Sequence, residues 1–186
     1  MDSQIDRAIG LIDAKLERDE TIDILSLVNE LENNGIETAD AFEALLNDPT
    51  AFDWHYYALA GMRVLAEQGR LPRNKARTLL ERTDRVAWQM GIDEFYKSIE
   101  AVVHSPVTVP ALLDFVEERL LGQRDIREWR WLAFTAVASV LQSEEVEITS
   151  LLRDRFPLMV KLRKEIGEEK DENRNRQIHE LLRLLP

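Results

Sequence analysis

Apolar residues recur at three- and four-residue spacing along nearly the whole chain, and the two-residue alternation of a half-buried strand is almost absent. The pattern predicts an all-α protein. Ile5, Ala8, Ile9, Ile12 and Leu16 form a first stripe, and Ile24, Leu25, Val28 and Leu31 a second over residues 21–32. Asn33–Asn34–Gly35 stops that second helix, because Gly or Asn accepts the left-handed conformation that closes a helix. A short helix follows Thr38 and ends near Asn47–Asp48–Pro49, and a helix headed by Trp54 runs to the Gly69–Pro72 break.

The pattern continues with a basic helix over residues 73–90, carrying Ala76, Leu79, Leu80, Val86 and Ala87 inward. Asp93 or Glu94 opens the next helix, and the two prolines of the stretch "HSPVTVP" break it. Residues 110–121 predict another helix, closed by Gly122, and a helix headed by Trp129 ends before "QSEEVE", whose Ser143 is an N-cap candidate. Pro157 must kink or split the helical pattern that follows Ser143, and Leu158, Leu162 and Ile166 continue inward. A last helix holds Ile178, Leu181, Leu182 and Leu185. No linker separates domains, so residues 1–186 are expected to form one all-α domain of about nine to ten helices. The polar run from Gly167 to Arg176 is the expected mobile turn.

One offset recurs. Displacement by 75 residues places Trp54 on Trp129, Tyr56 on Trp131, Ala58 on Ala133, Gly61 on Ala136 and Met62 on Val137. It also places Leu45 and Leu46 on Leu120 and Leu121, and Ile24, Leu27 and Val28 on Ile99, Val102 and Val103. An internal duplication over residues 20–67 and 95–142 accounts for this, as does the general likeness of amphipathic helices. The small residues would let a neighbouring helix approach closely while the aromatic head fills the wider end of the gap.

The later copy, Asp125 to Val137, resembles the second helix of a HEAT-like repeat in its Asp125, Trp129, Arg130, Ala133, Ala136 and Val137. The earlier copy departs from that pattern, with His55 where the arginine belongs. The resemblance implies a stack of helix pairs, a HEAT-like α-α superhelix with a concave binding face, in which the acid and the arginine tie adjacent units. An irregular multi-helix bundle is the alternative architecture.

Charge sharpens the picture. The net charge of −11 arises within residues 1–60, which hold 14 acidic side chains against Arg7, Lys15 and Arg18. Residues 63–85 are locally basic, with Arg63, Arg70, Arg73, Lys75, Arg77, Arg82 and Arg85 against Glu67, Glu81 and Asp84. Such polarity orients a partner or holds the chain's own segments together. With no Cys there is no disulfide framework and no thiolate chemistry, and no run of roughly 20 apolar residues predicts a membrane span. The amphipathic, acidic N-terminal stretch reads as a helix rather than a signal peptide, and a cytoplasmic location is expected.

Catalytic and metal sets are weak. His55, His104 and His179 have no zincin spacing. Glu100 and His104 lie four apart, but two ligands do not make a site. Asp53 and His55 are too close in sequence to face each other on a helix. The acid pairs Glu117–Glu118, Glu144–Glu145 and Glu168–Glu169 sit among other charges as solvated helix ends, rather than converging in a cleft. No phosphate-cradling loop or nucleophile elbow occurs, so neither an enzyme active site nor a cofactor is expected.

Two binding readings remain. Arg73, Lys75, Arg77, Arg82 and Arg85, with Arg124, Arg127 and Arg130, can line one groove for an acidic peptide. With exposed aromatics the same groove suits nucleic acid, and some HEAT-like repeats grip DNA. Alternatively those arginines pair with the acidic first third. Asp13, Glu17, Glu30 and Glu32 are the expected acidic docking residues for a basic partner. "LLRLL" at Leu181 to Leu185 either docks as an amphipathic helix or caps the array. The favoured expectation is a protein–protein interaction module; nucleic-acid binding is the alternative.

Overall fold

The structure is a computed structural model, and it describes residues 3–17, 22–90, 93–120, 127–152, 155–166, 176 and 183. Within these residues the fold is all-α. The helices are α1 (Ser3–Leu16), α2 (Ile24–Asn33), α3 (Thr38–Asn47), α4 (His55–Glu67), α5 (Arg73–Met90), α6 (Asp93–Val102), α7 (Val109–Phe115), α8 (Arg127–Leu141), α9 (Val146–Ser150) and α10 (Phe156–Ile166). A 3-10 turn, Phe52–Trp54, leads into α4, and a π-helical turn, Val116–Leu120, extends α7. None of these helices is long and apolar enough to cross a membrane.

Local signals place most boundaries. Asp23 caps α2 by accepting from the Ser26 amide at 3.2 Å. Gly35 and Gly69 take the positive φ values of 69° and 67° that the turns after α2 and α4 require. Pro157 occupies the first turn of α10, where its missing N–H has no intrahelical partner to lose. Ser143 is not the cap of the following helix: Glu145 holds that position, while the Ser143 hydroxyl accepts from the Glu145 amide at 3.3 Å in the preceding turn. The expected single helix over residues 110–121 is α for only two turns and then widens into the π turn. The last expected helix, its "LLRLL" stretch and the Gly167–Arg176 turn fall almost wholly outside the described residues.

The helices form two rows. Each helix packs extensively only on helices one or two places away in the chain, so α1, α3, α5 and α7 stack in one row and α2, α4, α6 and α8 in the other. Within the odd row α3, α5 and α7 run parallel, at two different strides. Glu43 meets Thr78 and Asn47 meets Arg82, both 35 residues apart; Arg73 meets Asp114 and Arg77 meets Glu118, both 41 apart.

These two strides together carry α3 to α7 within one residue of the 75-residue sequence offset. The same offset carries α4 onto residues 130–142, against α8 at 127–141, but carries Ile24, which begins α2, onto Ile99 in the last turn of α6.

A continuous core runs between the rows. Phe42, Leu45, Leu59, Met62, Leu79, Phe95 and Phe115 are fully buried, and side chains of this size each contribute roughly 1.5–3 kcal/mol by burial. Ala58 and Ala133 are fully buried, as the packing argument expects. At Gly61 the approach is closest: a Cβ there would overlap the buried Phe42 ring, so α3 crosses α4 in direct contact with its backbone.

Candidate functional site

The basic stretch divides into three environments. Along the odd row, Arg73 of α5 pairs with Asp114 of α7 at 2.6 Å, and Lys75 pairs with Asp40 of α3 at 2.7 Å and with Glu43. Arg77 bonds Glu81 within α5 at 2.7 Å and Glu118 of the π turn at 2.8 Å, with its guanidinium 5.3 Å from the centre of the Phe115 ring. Beyond α7, Arg155 reaches Asp114 at 2.6 Å and Lys161 reaches Glu117 at 3.5 Å. The sign of charge therefore alternates from row member to row member: acid on α3, base on α5, acid on α7 and its π turn, base at 155 and 161.

These pairs are partly desolvated, and their ionisation reflects it. Burial alone would raise the Glu43 carboxyl, but hydrogen bonds from Lys75 and Thr78 outweigh it and hold the group below its usual range. Asp114 is likewise pushed up by burial, and held below its usual range by the bonds from Arg73 and Arg155. Lys75 moves the opposite way: burial opposes its charge, while Asp40 and Glu43 together raise it above the ordinary ammonium value.

A second environment lies in the even row. Arg63 of α4 is buried, and so are Glu94 and Ser98 of α6 and Thr83 of α5. Arg63 donates from Nη1 to Glu94 Oε2 at 2.7 Å, from Nη2 to the Glu94 carbonyl at 3.1 Å and from Nε to Ser98 Oγ at 2.9 Å. Ser98 Oγ lies 3.0 Å from Thr83 Oγ1, which donates to the Leu79 carbonyl at 2.8 Å, and Lys97 reaches Glu94 Oε1 from the surface at 2.7 Å. Burial would raise the Glu94 carboxyl; the bonds from Lys97 and Arg63 outweigh it and hold it down. This node ties three helices together. Its residues were not singled out from the sequence, where Arg63 counts as one more base, yet an arginine inside "ALAGMRVLA" and hydroxyls continuing the stripes of Leu79–Leu80 and Phe95 were the available signals.

The third environment is an open cleft of about 290 Å³ where the C-terminal end of α3, the 3-10 turn and the second half of α5 meet. Leu46, Asn47, Pro49, Phe52, His55, Arg82 and Arg85 line it. Phe52 is 57% exposed and its ring centre lies 5.6 Å from that of His55, whose Nε2 is 3.1 Å from the Asp48 carbonyl oxygen. Arg82 donates to Asn47 Oδ1. Arg85 is exposed and makes no ion pair among the described residues.

The sequence-named residues are thus dispersed. Arg73, Lys75 and Arg77 form the interhelix ladder, Arg63 the buried node, and Arg82 and Arg85 the cleft. Arg127 and Arg130 lie on the first turn of α8, with side chains outside the described part of the structure, and Arg124 lies outside it altogether. Of the acidic set, Asp13 accepts from the Trp54 indole at 2.8 Å, Glu30 pairs with Lys15 at 2.7 Å and Glu32 with Arg70, so all three hold elements together. Glu17 remains solvent-facing, as do Asp6, Glu37 and Asp53. Trp54 is partly buried and Tyr56 is 46% exposed; the Trp129 and Trp131 side chains fall outside the description.

Glu100 lies in α6 and His104 in the turn beyond it, both exposed, rather than on one helical face. Comparison with protein-family models, with curated proteins and with solved structures finds no match to this chain.

Proposed function

We propose that this chain is a non-enzymatic protein–protein interaction module, built as a HEAT-like helical repeat, that acts as an adaptor, regulator, chaperone or inhibitor. The observation that carries the reading is the two-row stack, with strides of 35 and 41 residues between parallel helices. An array of this kind offers long continuous faces, each repeat contacting its neighbours and leaving its outer surface for a partner. The stride also falls close to those of helical-hairpin repeats, roughly 34–47 residues.

The acidic docking face on this reading is the solvent-facing set Asp6, Glu17 and Glu37 around α1, joined by Asp53, rather than the internally tied Asp13, Glu30 and Glu32. Complementary charge there would speed capture of a basic partner. The alternative, nucleic-acid binding through residues 63–85, loses support from the ladder, because phosphate contacts need cations whose charge is not already matched.

The test is recovery of the tagged full chain at low salt from the cells that make it. A stoichiometric protein should co-purify, and Asp6→Lys with Glu17→Lys and Glu37→Lys should reduce its recovery severalfold without altering the thermal midpoint. Nuclease-sensitive material in place of a protein would overturn the reading.

A further inference from the structure

At the cleft beside Phe52 the chain's charge pattern is inverted. In a protein of net charge −11, two guanidinium groups and no acidic side chain line it. Arg82 and Arg85 stand three apart on α5 and so share a helix face. The bond to Asn47 takes one of the five N–H donors of Arg82, and Arg85 is free of ion pairs among the described residues. Asp48, next in sequence to the lining residues Asn47 and Pro49, is turned into its own loop, accepting from the Thr50 amide at 2.8 Å and from the Thr50 hydroxyl at 2.6 Å, and Asp84, whose carboxyl feels the Arg85 charge, does not line the cleft. Beside these cations lie apolar surfaces: Phe52, more than half exposed, Pro49, and buried Leu46 as the floor.

We propose that this cleft binds a short acidic peptide segment of a partner protein. Arg82 and Arg85 hold a carboxylate, and a neighbouring aromatic or aliphatic side chain packs on Phe52 over Leu46. The inference rests on the interaction-module reading and assigns it a ligand class.

Three features select that occupant. The guanidinium fork matches a carboxylate in two-point geometry, which an ammonium would not. The volume lies at the lower limit of ligand pockets, roughly 300–1,000 Å³, which suits a pair of side chains rather than a cofactor. The overall charge disfavours a polyanion: a peptide with one or two acids meets only the local field, whereas a nucleic-acid strand runs its phosphates across the acidic surroundings as well.

The experiment selects random linear peptides displayed on phage against the full-length chain, and measures the enriched consensus as a synthetic fluorescent peptide by anisotropy. The expected consensus places Asp or Glu within a few residues of an aromatic or aliphatic side chain. Arg85→Glu and Phe52→Ser should each weaken its binding about tenfold or more, with circular dichroism and thermal midpoint unchanged because both side chains are exposed.

A consensus without an acid, no consensus at all, or binding indifferent to both substitutions would overturn the proposal. So would a single-stranded oligothymidylate that binds more tightly than the peptide at low salt and is lost in Arg85→Glu. If the Arg85→Glu, Phe52→Ser double variant still recovers the same stoichiometric protein as the wild type, the cleft assignment falls and the module reading stands. If neither a protein nor a peptide is captured, both fall.

Discussion

Arg73 and Arg63 each join two helices through a carboxylate, at 2.6 Å and 2.7 Å, yet they stand in different media. The Arg73 side chain is 57% exposed and that of Asp114 28%, whereas the Arg63 and Glu94 side chains are 9% and 11% exposed. Water competes for the first pair and salt screens it. For the second, nearly every donor and acceptor must find its partner inside the protein, and three hydrogen bonds from one guanidinium meet that demand. The ladder therefore sets how neighbouring helices of the odd row are matched, while the node is where an error is costly. Equal bond lengths carry unequal consequences because the cost of leaving a charge unpaired depends on burial.

The largest effect should come from breaking the node on one side only. Arg63→Met leaves Glu94 buried with Lys97 as its remaining partner and is expected to cost about 3–5 kcal/mol. Adding Glu94→Leu removes the stranded carboxylate and should restore much of that loss, since apolar side chains can replace a buried ion pair at little cost. The Thr83 hydroxyl keeps its bond to the Leu79 carbonyl in either variant. Urea unfolding at neutral pH measures both. A double variant as unstable as the single one would show that packing, not the unpaired charge, sets the cost.

An intermediate effect is expected one residue pair away on α4, where the contact is steric instead of electrostatic. Gly61→Ala drives a methyl group into the Phe42 ring and should cost about 1–3 kcal/mol. Phe42→Leu in the same background should recover part of it. The loss should be the same in low and high salt, which separates a packing fault from a fault in the exposed ladder. If Gly61→Ala leaves the thermal midpoint unmoved, α3 and α4 are not in backbone contact there.

The helices were legible in the sequence because burial imposes a period of 3.6 residues within a single short window. The basic segment read as α5 begins at Arg73 and ends at Met90, and the Gly35 and Gly69 stops fall where the turns need positive φ. The stride was not legible: steps of 35 and 41 residues differ by too much for one fixed offset to reveal either, and the 75-residue offset that matches Trp54 to Trp129 carries the start of α2 to the end of α6.

The fate of the charges was the least legible part. Arg77 has Glu81 one turn on in its own helix, but its second acid, Glu118, reaches it from 41 residues away through the π turn, and helical periodicity carries no record of that turn. The cleft escaped for a related reason: Phe52 and His55 acquire their meaning only when α3 and α5 run parallel and set Asn47 beside Arg82.

The smallest effect belongs to the ladder. Arg73→Ala removes one exposed pair, and Asp114 retains Arg155 at 2.6 Å, so the expected cost is about 1 kcal/mol or less. That loss should shrink at high salt, because screening already weakens the wild-type pair, whereas the cost of Arg63→Met should persist. Denaturant unfolding of both variants at low and high ionic strength makes the contrast measurable in one experiment. Equal salt sensitivity at the two sites would mean that water reaches Arg63 as readily as Arg73, and the distinction between ladder and node would lose its physical basis.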